Sequence, residues 1–310
     1  MLFKLVFAAF LIRSACAVPW PPRAVLDDAD STSRALSGKE PNRGRLMPPT
    51  PGRSTLERRE RGERVRLEEA ATYEAYNITD GAGDGVDKYT MYWGTGTTSE
   101  GWPDKSAWVS FENMFENNRE QMYKSCREEH PPQRDNTESE LMAVYDGIQR
   151  AAMASGVDHR FILAIMMEES RGCVRSPTVD YGARRPGLMQ DHNGHATCNE
   201  KGVVQYPCPA DMIDEMILEA VSGTRTGEGL AGCLNQVATG DVSDFYKAAR
   251  VYNSGFISPT LQLKDGPKRH CYASNIANRL TGWIEAPSKC TCDIDPYKCG
   301  IVDHRSGPTA

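Results

Sequence analysis

Two adjacent carboxylates, Glu168 and Glu169, close a run of seven apolar residues at 161–167, and Ser170 follows them directly. A segment that apolar belongs to a buried helix or strand, so it carries both carboxyl groups from the core to its edge. A carboxyl group at such an edge is poorly solvated, which raises its pKa and keeps it protonated, as a general acid requires. In a helix, the negative end of the dipole disfavours a further negative charge at the same place. Successive helix positions point about 100° apart, so only one of the pair faces a given cleft.

Two later segments carry groups able to bind or orient a substrate: Gly187-Leu188-Met189-Gln190 and Tyr252-Asn253-Ser254-Gly255. Taken singly, each reads as a turn at a helix end. As an ordered set with Glu168-Glu169-Ser170, they resemble the motifs of the lytic transglycosylase and goose-type lysozyme superfamily. The likeness runs from about residue 158 to 280 and looks closest to a secreted, cysteine-rich group found in fungi, with residues 171–175 and 276–280 supporting that placement. It implies a mainly α (α+β) lysozyme-like fold, a two-lobed helical domain around a central buried helix. It also implies that Glu169, which directly precedes a serine, is the general acid, while Glu168 stands where the family often has glutamine. Ser170, Gln190, Tyr252 and Asn253 are then expected to bind substrate or support its cleft.

Glycosidic bonds break through an oxocarbenium-like transition state once the leaving oxygen is protonated. An inverting hydrolase also needs a base across the sugar to activate water, and by resemblance to the goose-type enzymes Asp180 and Asp191 are the candidates. A lytic transglycosylase needs no such base, because the muramyl 6-hydroxyl attacks intramolecularly and leaves a 1,6-anhydro end. The expected function is cleavage of β-1,4-linked N-acetylhexosamine polymers, with peptidoglycan as the first partner and chitin as the alternative. A secreted wall-glycan-binding protein or effector without turnover is the rival class. No cofactor is expected, since the sequence has no phosphate loop, nucleophile elbow or dinucleotide fingerprint. No metal is expected either. His192 and His195 lack a third ligand at a recognisable spacing, and Cys290, Cys292, Cys299 and His304 read better as a disulfide-bearing tail than as a zinc knuckle.

The compartment follows from the first residues. Lys4, the apolar run 5–12 and Ala15-Cys16-Ala17 read as a secretory signal over 1–17. That run is too short to span a bilayer, and no later segment has the roughly 20 apolar residues a membrane helix needs, so no membrane anchor is expected. Losing Lys4 and Arg13 with the signal takes the formal charge from −6 to −8. An acidic surface argues against nucleic acid as a partner and suits a neutral glycan better than an anionic wall.

Residues 18–87 are polar and rich in Pro and Arg, reading as a disordered segment or pro-region. They contain a dibasic Arg58-Arg59 and an Asn77-Ile78-Thr79 glycosylation sequon. The folded domain is expected at 88–290 and a cysteine-containing tail at 291–310. Nine cysteines remain after Cys16. Six fall between Cys126 and Cys271, enough for three bridges within the domain, while the three after Pro287 (Cys290, Cys292 and Cys299) leave one thiol free or paired between chains; spacing does not fix connectivity. Helices are expected from Trp108 toward Cys126, from the Thr137-to-Glu140 capping box, from Asp158 to near Gly172, from Pro209 to Gly223, from Ser243 through Tyr252, and from Tyr272 to Trp283. The aromatic cluster Tyr89, Tyr92, Trp93, Trp102 and Trp108 reads as core filling more than as a sugar-stacking surface.

Overall fold

The structure is a computed structural model of the chain and describes residues 63–65, 80–180, 182–267 and 269–293. The signal segment, Arg58-Arg59, Asn77, Cys299 and His304 lie outside the described residues. Among those described there are seven α-helices: α1 (Phe111–Glu129), α2 (Glu138–Ser155), α3 (His159–Ser170), α4 (Ala210–Ser222), α5 (Leu230–Val237), α6 (Ser243–Ser254) and α7 (Tyr272–Leu280). Two short antiparallel ribbons accompany them. β1 (Val179–Asp180) pairs with β2 (Arg184–Arg185), and β3 (Asn199–Glu200) with β4 (Val203–Val204). The fold is mostly helical, and no described helix is long and apolar enough to cross a membrane.

Helix α3 is the hub. Its apolar run is 0–1% exposed throughout, because α1, α2 and α7 pack around it. Truncating one of its core residues, such as Leu163, to Ala removes buried methyl groups and leaves a cavity, a loss of about 2–5 kcal/mol. Asp158 caps the helix by accepting from the Arg160 backbone N–H at 3.0 Å. Arg171 ends it in a left-handed conformation, and Cys126–Cys173 ties the end of α1 to the turn beyond it. Asn136 clamps the same turn, donating to the Met122 and Gly172 carbonyls at 2.8 Å each. The carboxylates at the end of α3 therefore stand on a fixed base.

Several boundaries differ from the sequence expectation. Ser110 caps α1, and Trp108 precedes the helix as a buried core residue. Pro209 is the cap of α4 rather than its first residue, and α7 stops at Leu280. Helix α5 was not expected, because its eight residues include Gly232 and follow Gly229 directly. Packed structure begins before Lys88: Ala82 donates to the Trp108 carbonyl at 2.8 Å, and Val65, within the segment read as a linker, donates to Ser155 at 2.8 Å. Tyr89, Trp102 and Trp108 are core residues, at most 3% exposed.

The disulfides are Cys126–Cys173, Cys198–Cys208 and Cys271–Cys290. Cys292 is also disulfide-bonded. Among the described residues the free thiol is Cys233 in α5, one of the six expected to pair within the domain, and Cys271 bonds to Cys290 instead.

Candidate active site

The last turn of α3 presents Glu168 and Glu169 toward α7, and the two meet different surroundings. Glu168 Oε2 accepts from Arg279 Nε at 3.0 Å, while its Oε1 accepts from Asn275 Nδ2 at 2.9 Å and Arg269 Nη1 at 3.3 Å. Its side chain is 5% exposed, and each oxygen has a cationic partner. Glu169 has fewer. Its Oε1 accepts the Tyr272 hydroxyl, and Arg269 Nη2 stands 3.6 Å from Oε2. Burial pushes the Glu169 carboxyl above the usual carboxylate range; Arg269 and the Tyr272 hydroxyl pull the other way, and Glu168 adds to the rise. Burial wins because Arg269 is shared and makes its direct contacts with Glu168.

The three motif segments meet in space. Ser170 Oγ donates to the Leu188 carbonyl at 2.6 Å, and Tyr252 OH donates to the Met189 carbonyl at 2.9 Å. Both hydroxyls thus hold the 187–190 turn in place. Gly187 needs its positive φ of 63°, and a Cβ there would lie 2.4 Å from Met216 Sδ. Gln190 also has positive φ, 51°, and its Nε2 donates to the Gly187 and Pro177 carbonyls at 2.9 and 3.0 Å. Asn253 is buried in the last turn of α6, which Gly255 ends in a left-handed conformation.

Beside these segments is a cavity of about 290 Å³, lined by Arg185, Gln190, Cys233 and Tyr252 among others. Glu169 does not line it, but its charge reaches Tyr252, and Arg185 acts electrostatically on both. Burial raises the Tyr252 hydroxyl well above its ordinary value, and Asp191 and Glu169 add to the effect, so the phenol stays protonated as a donor. Burial likewise raises the Cys233 thiol, which leaves it protonated and a poor nucleophile.

The two candidate bases lie in contrasting places. Asp180 is exposed on β1 and accepts from the Gly182 N–H at 3.2 Å, closing the hairpin. Asp191 is 3% exposed, and its Oδ2 has no hydrogen-bond partner. A Cβ at Gly194 would fall 2.1 Å from that atom, so the loop wraps closely around the carboxyl. Burial, reinforced by the Glu219 charge, pushes Asp191 up to about 8. At pH 7 most of this carboxyl is therefore protonated, and only its ionised fraction can accept a proton.

Arg269, Tyr272, Asn275 and Arg279 are site residues that sequence reasoning missed. A faint signal existed: Tyr272, Asn275 and Arg279 fall at i, i+3 and i+7, one face of α7. A second cluster of potential metal ligands, Asp80, Asp158 and His159, lies at the opposite end of α3. There Arg160 and Lys105 already pair with the carboxylates, which suits a structural ion network better than a cation site. No family model matches the chain, and no curated protein or solved structure matches it.

Proposed function

We propose that this chain is a secreted glycan-cleaving enzyme with a lysozyme-like fold, Glu169 being its general acid. Its substrate is a β-1,4-linked N-acetylhexosamine polymer, with peptidoglycan first and chitin second. The observation that carries the reading is the pair at the end of α3: Glu168 takes the cationic hydrogen bonds, and burial raises Glu169 alongside it. A carboxylic acid that keeps its proton can deliver it to a glycosidic oxygen, and Tyr272 OH fixes its orientation. The hydrogen bonds that join Ser170, the 187–190 turn and Tyr252 beside that acid support the same reading.

Between the two reaction courses, the surroundings of Asp191 favour intramolecular transglycosylation, since a loop-wrapped carboxyl that is mostly protonated at pH 7 leaves little room or charge for activating a water. Peptidoglycan and chitin are to be digested separately and the products weighed by mass spectrometry. The expected products are 1,6-anhydro-ended peptidoglycan fragments, one water lighter than hydrolytic ones. They should vanish in Glu169→Gln while polymer binding remains. A wild-type protein that binds both polymers and cleaves neither would place it among binding proteins instead.

A further inference from the structure

A second groove, of about 790 Å³, is walled by His130, Pro131 and Arg134 after α1, by Pro177, and by Val204 and Tyr206 around β4. No carboxylate lines it, although the chain carries 42 acidic residues against 36 Lys and Arg. Arg134 is exposed, its guanidinium lies 4.6 Å from the Tyr206 ring, and among the described residues it joins no ion pair. Neighbouring acids are engaged elsewhere: Glu129 with Arg171 at 2.7 Å, Asp135 with Arg127 at 3.3 Å, and Glu140 with the buried Arg175. Burial lowers His130, and the other lining guanidinium, Arg175, is paired with Glu140, so Arg134 supplies the groove's uncompensated positive charge at neutral pH.

The floor is built rather than loose. Asn199 Nδ2 donates to the Arg175 carbonyl at 2.9 Å, its Oδ1 accepts from Gly202 at 3.2 Å, and Cys198–Cys208 closes the loop bearing Tyr206. The groove also shares a wall with the candidate active site. Gln190 Nε2 donates to the Pro177 carbonyl at 3.0 Å, and Ser176 Oγ lies 3.4 Å from His130 Nε2.

A stacked guanidinium is a fork that holds a carboxylate through two parallel hydrogen bonds. Proline and tyrosine faces, with Val203 and Val204 exposed beside them, suit the backbone and methyl groups of a short peptide. A neutral sugar would leave that cation unmatched. We propose that this groove binds a carboxylate-bearing peptide substituent of the polymer whose glycan strand reaches Glu169. The inference rests on the glycan-cleaving reading and narrows its substrate to a polymer carrying acidic peptides.

The test uses the full chain carrying Glu169→Gln, titrated with L-alanyl-γ-D-glutamate while the Tyr206 ring signals are followed by NMR. Saturable binding at Tyr206 is expected, weakened about two- to fivefold by Arg134→Gln, as for an exposed charge pair. Chitobiose, which has no carboxylate, should leave those signals unmoved. In the wild-type background, Arg134→Gln should raise KM on peptide-bearing strands but not on peptide-stripped ones, with kcat unchanged. An unperturbed Tyr206, an affinity indifferent to Arg134→Gln, or equal binding of chitobiose would overturn the proposal. The dipeptide titration does not depend on turnover, so a protein that cleaves no polymer would defeat the proposed function and leave the groove to be judged by its own result.

Discussion

At its N-terminal end α3 buries a carboxylate whose neighbours lower its pKa, whereas at its C-terminal end it carries one whose surroundings raise it. Asp158 accepts from Arg160 Nε at 3.0 Å and Nη2 at 2.8 Å, and Lys105 Nζ lies at 3.4 Å. Asp80 completes the cluster with His159 Nε2 at 3.0 Å and Arg160 Nε at 3.1 Å. Burial alone would raise Asp158, but the hydrogen bonds and charge of Arg160, helped by Lys105 and His159, bring it below the usual range. Glu169 is also buried, yet its cation is shared with Glu168 and stands farther off. Buried charges at both ends thus serve different purposes. Direct contacts to each oxygen make a structural network, whereas burial that outruns its partners raises a carboxyl's pKa, as the proposed proton donor requires.

The largest effect is expected at Glu169. Glu169→Gln should lower turnover by roughly 10²–10⁴-fold, the usual share of general acid–base catalysis. Its folded-state pKa is raised, so wild-type stability is fullest below the unfolded value and declines as pH rises through the folded one. The variant lacks that decline, and its thermal midpoint at neutral pH should at least equal that of the wild type. Asp158→Ala should do the reverse. It removes the carboxylate that Arg160 and Lys105 share, leaving Arg160 with Asp80, and should cost up to about 3–5 kcal/mol in denaturant unfolding, while the molecules that remain folded keep their turnover. Because the folded pKa of Asp158 is depressed, its contribution is present above the unfolded value and lost as pH falls through the folded one.

Asp191 sharpens the contrast, being buried with only the more distant charge of Arg184 to offset it and no ion pair among the described residues. Raised to about 8, it makes the protein lose stability as pH climbs from its unfolded pKa of about 3.9 through 8. Asp191→Asn should flatten the thermal midpoint across that window, raise it at pH 7, and keep most of the turnover. A variant without activity would make Asp191 a base and the reaction a hydrolysis. The smallest effect is expected from Tyr252→Phe, which removes the hydrogen bond to the Met189 carbonyl. It should cost about 1 kcal/mol of stability and a few-fold in turnover, as seen in paired unfolding and rate measurements.

What sequence could and could not disclose follows the same division. The capping box at Thr137, the Asp158 cap and the apolar run of α3 are local signals, and all three appear in the fold. The three motif segments were legible as an ordered set, and hydrogen bonds from Ser170 and Tyr252 to the 187–190 turn bring them together. The partners of the two glutamates were not legible, because Tyr272 and Arg279 stand 103 and 111 residues from the carboxylates they meet. Asp80 was hidden for another reason. It sits in a polar stretch that reads as linker, and only folding sets its carboxylate between His159 and Arg160.

A general-acid role for Glu169 requires that it keep its proton where an ordinary glutamate has lost it. The direct measurement is a ¹³C NMR titration of the side-chain carboxyls in Glu-labelled protein, with the Glu169 signal assigned by its loss in Glu169→Gln. The account predicts that this signal titrates above the ordinary glutamate value of about 4.3, and that the alkaline limb of the turnover profile follows the same midpoint. A Glu169 carboxyl that titrates at or below that value, as expected of one firmly paired to Arg269, would contradict it.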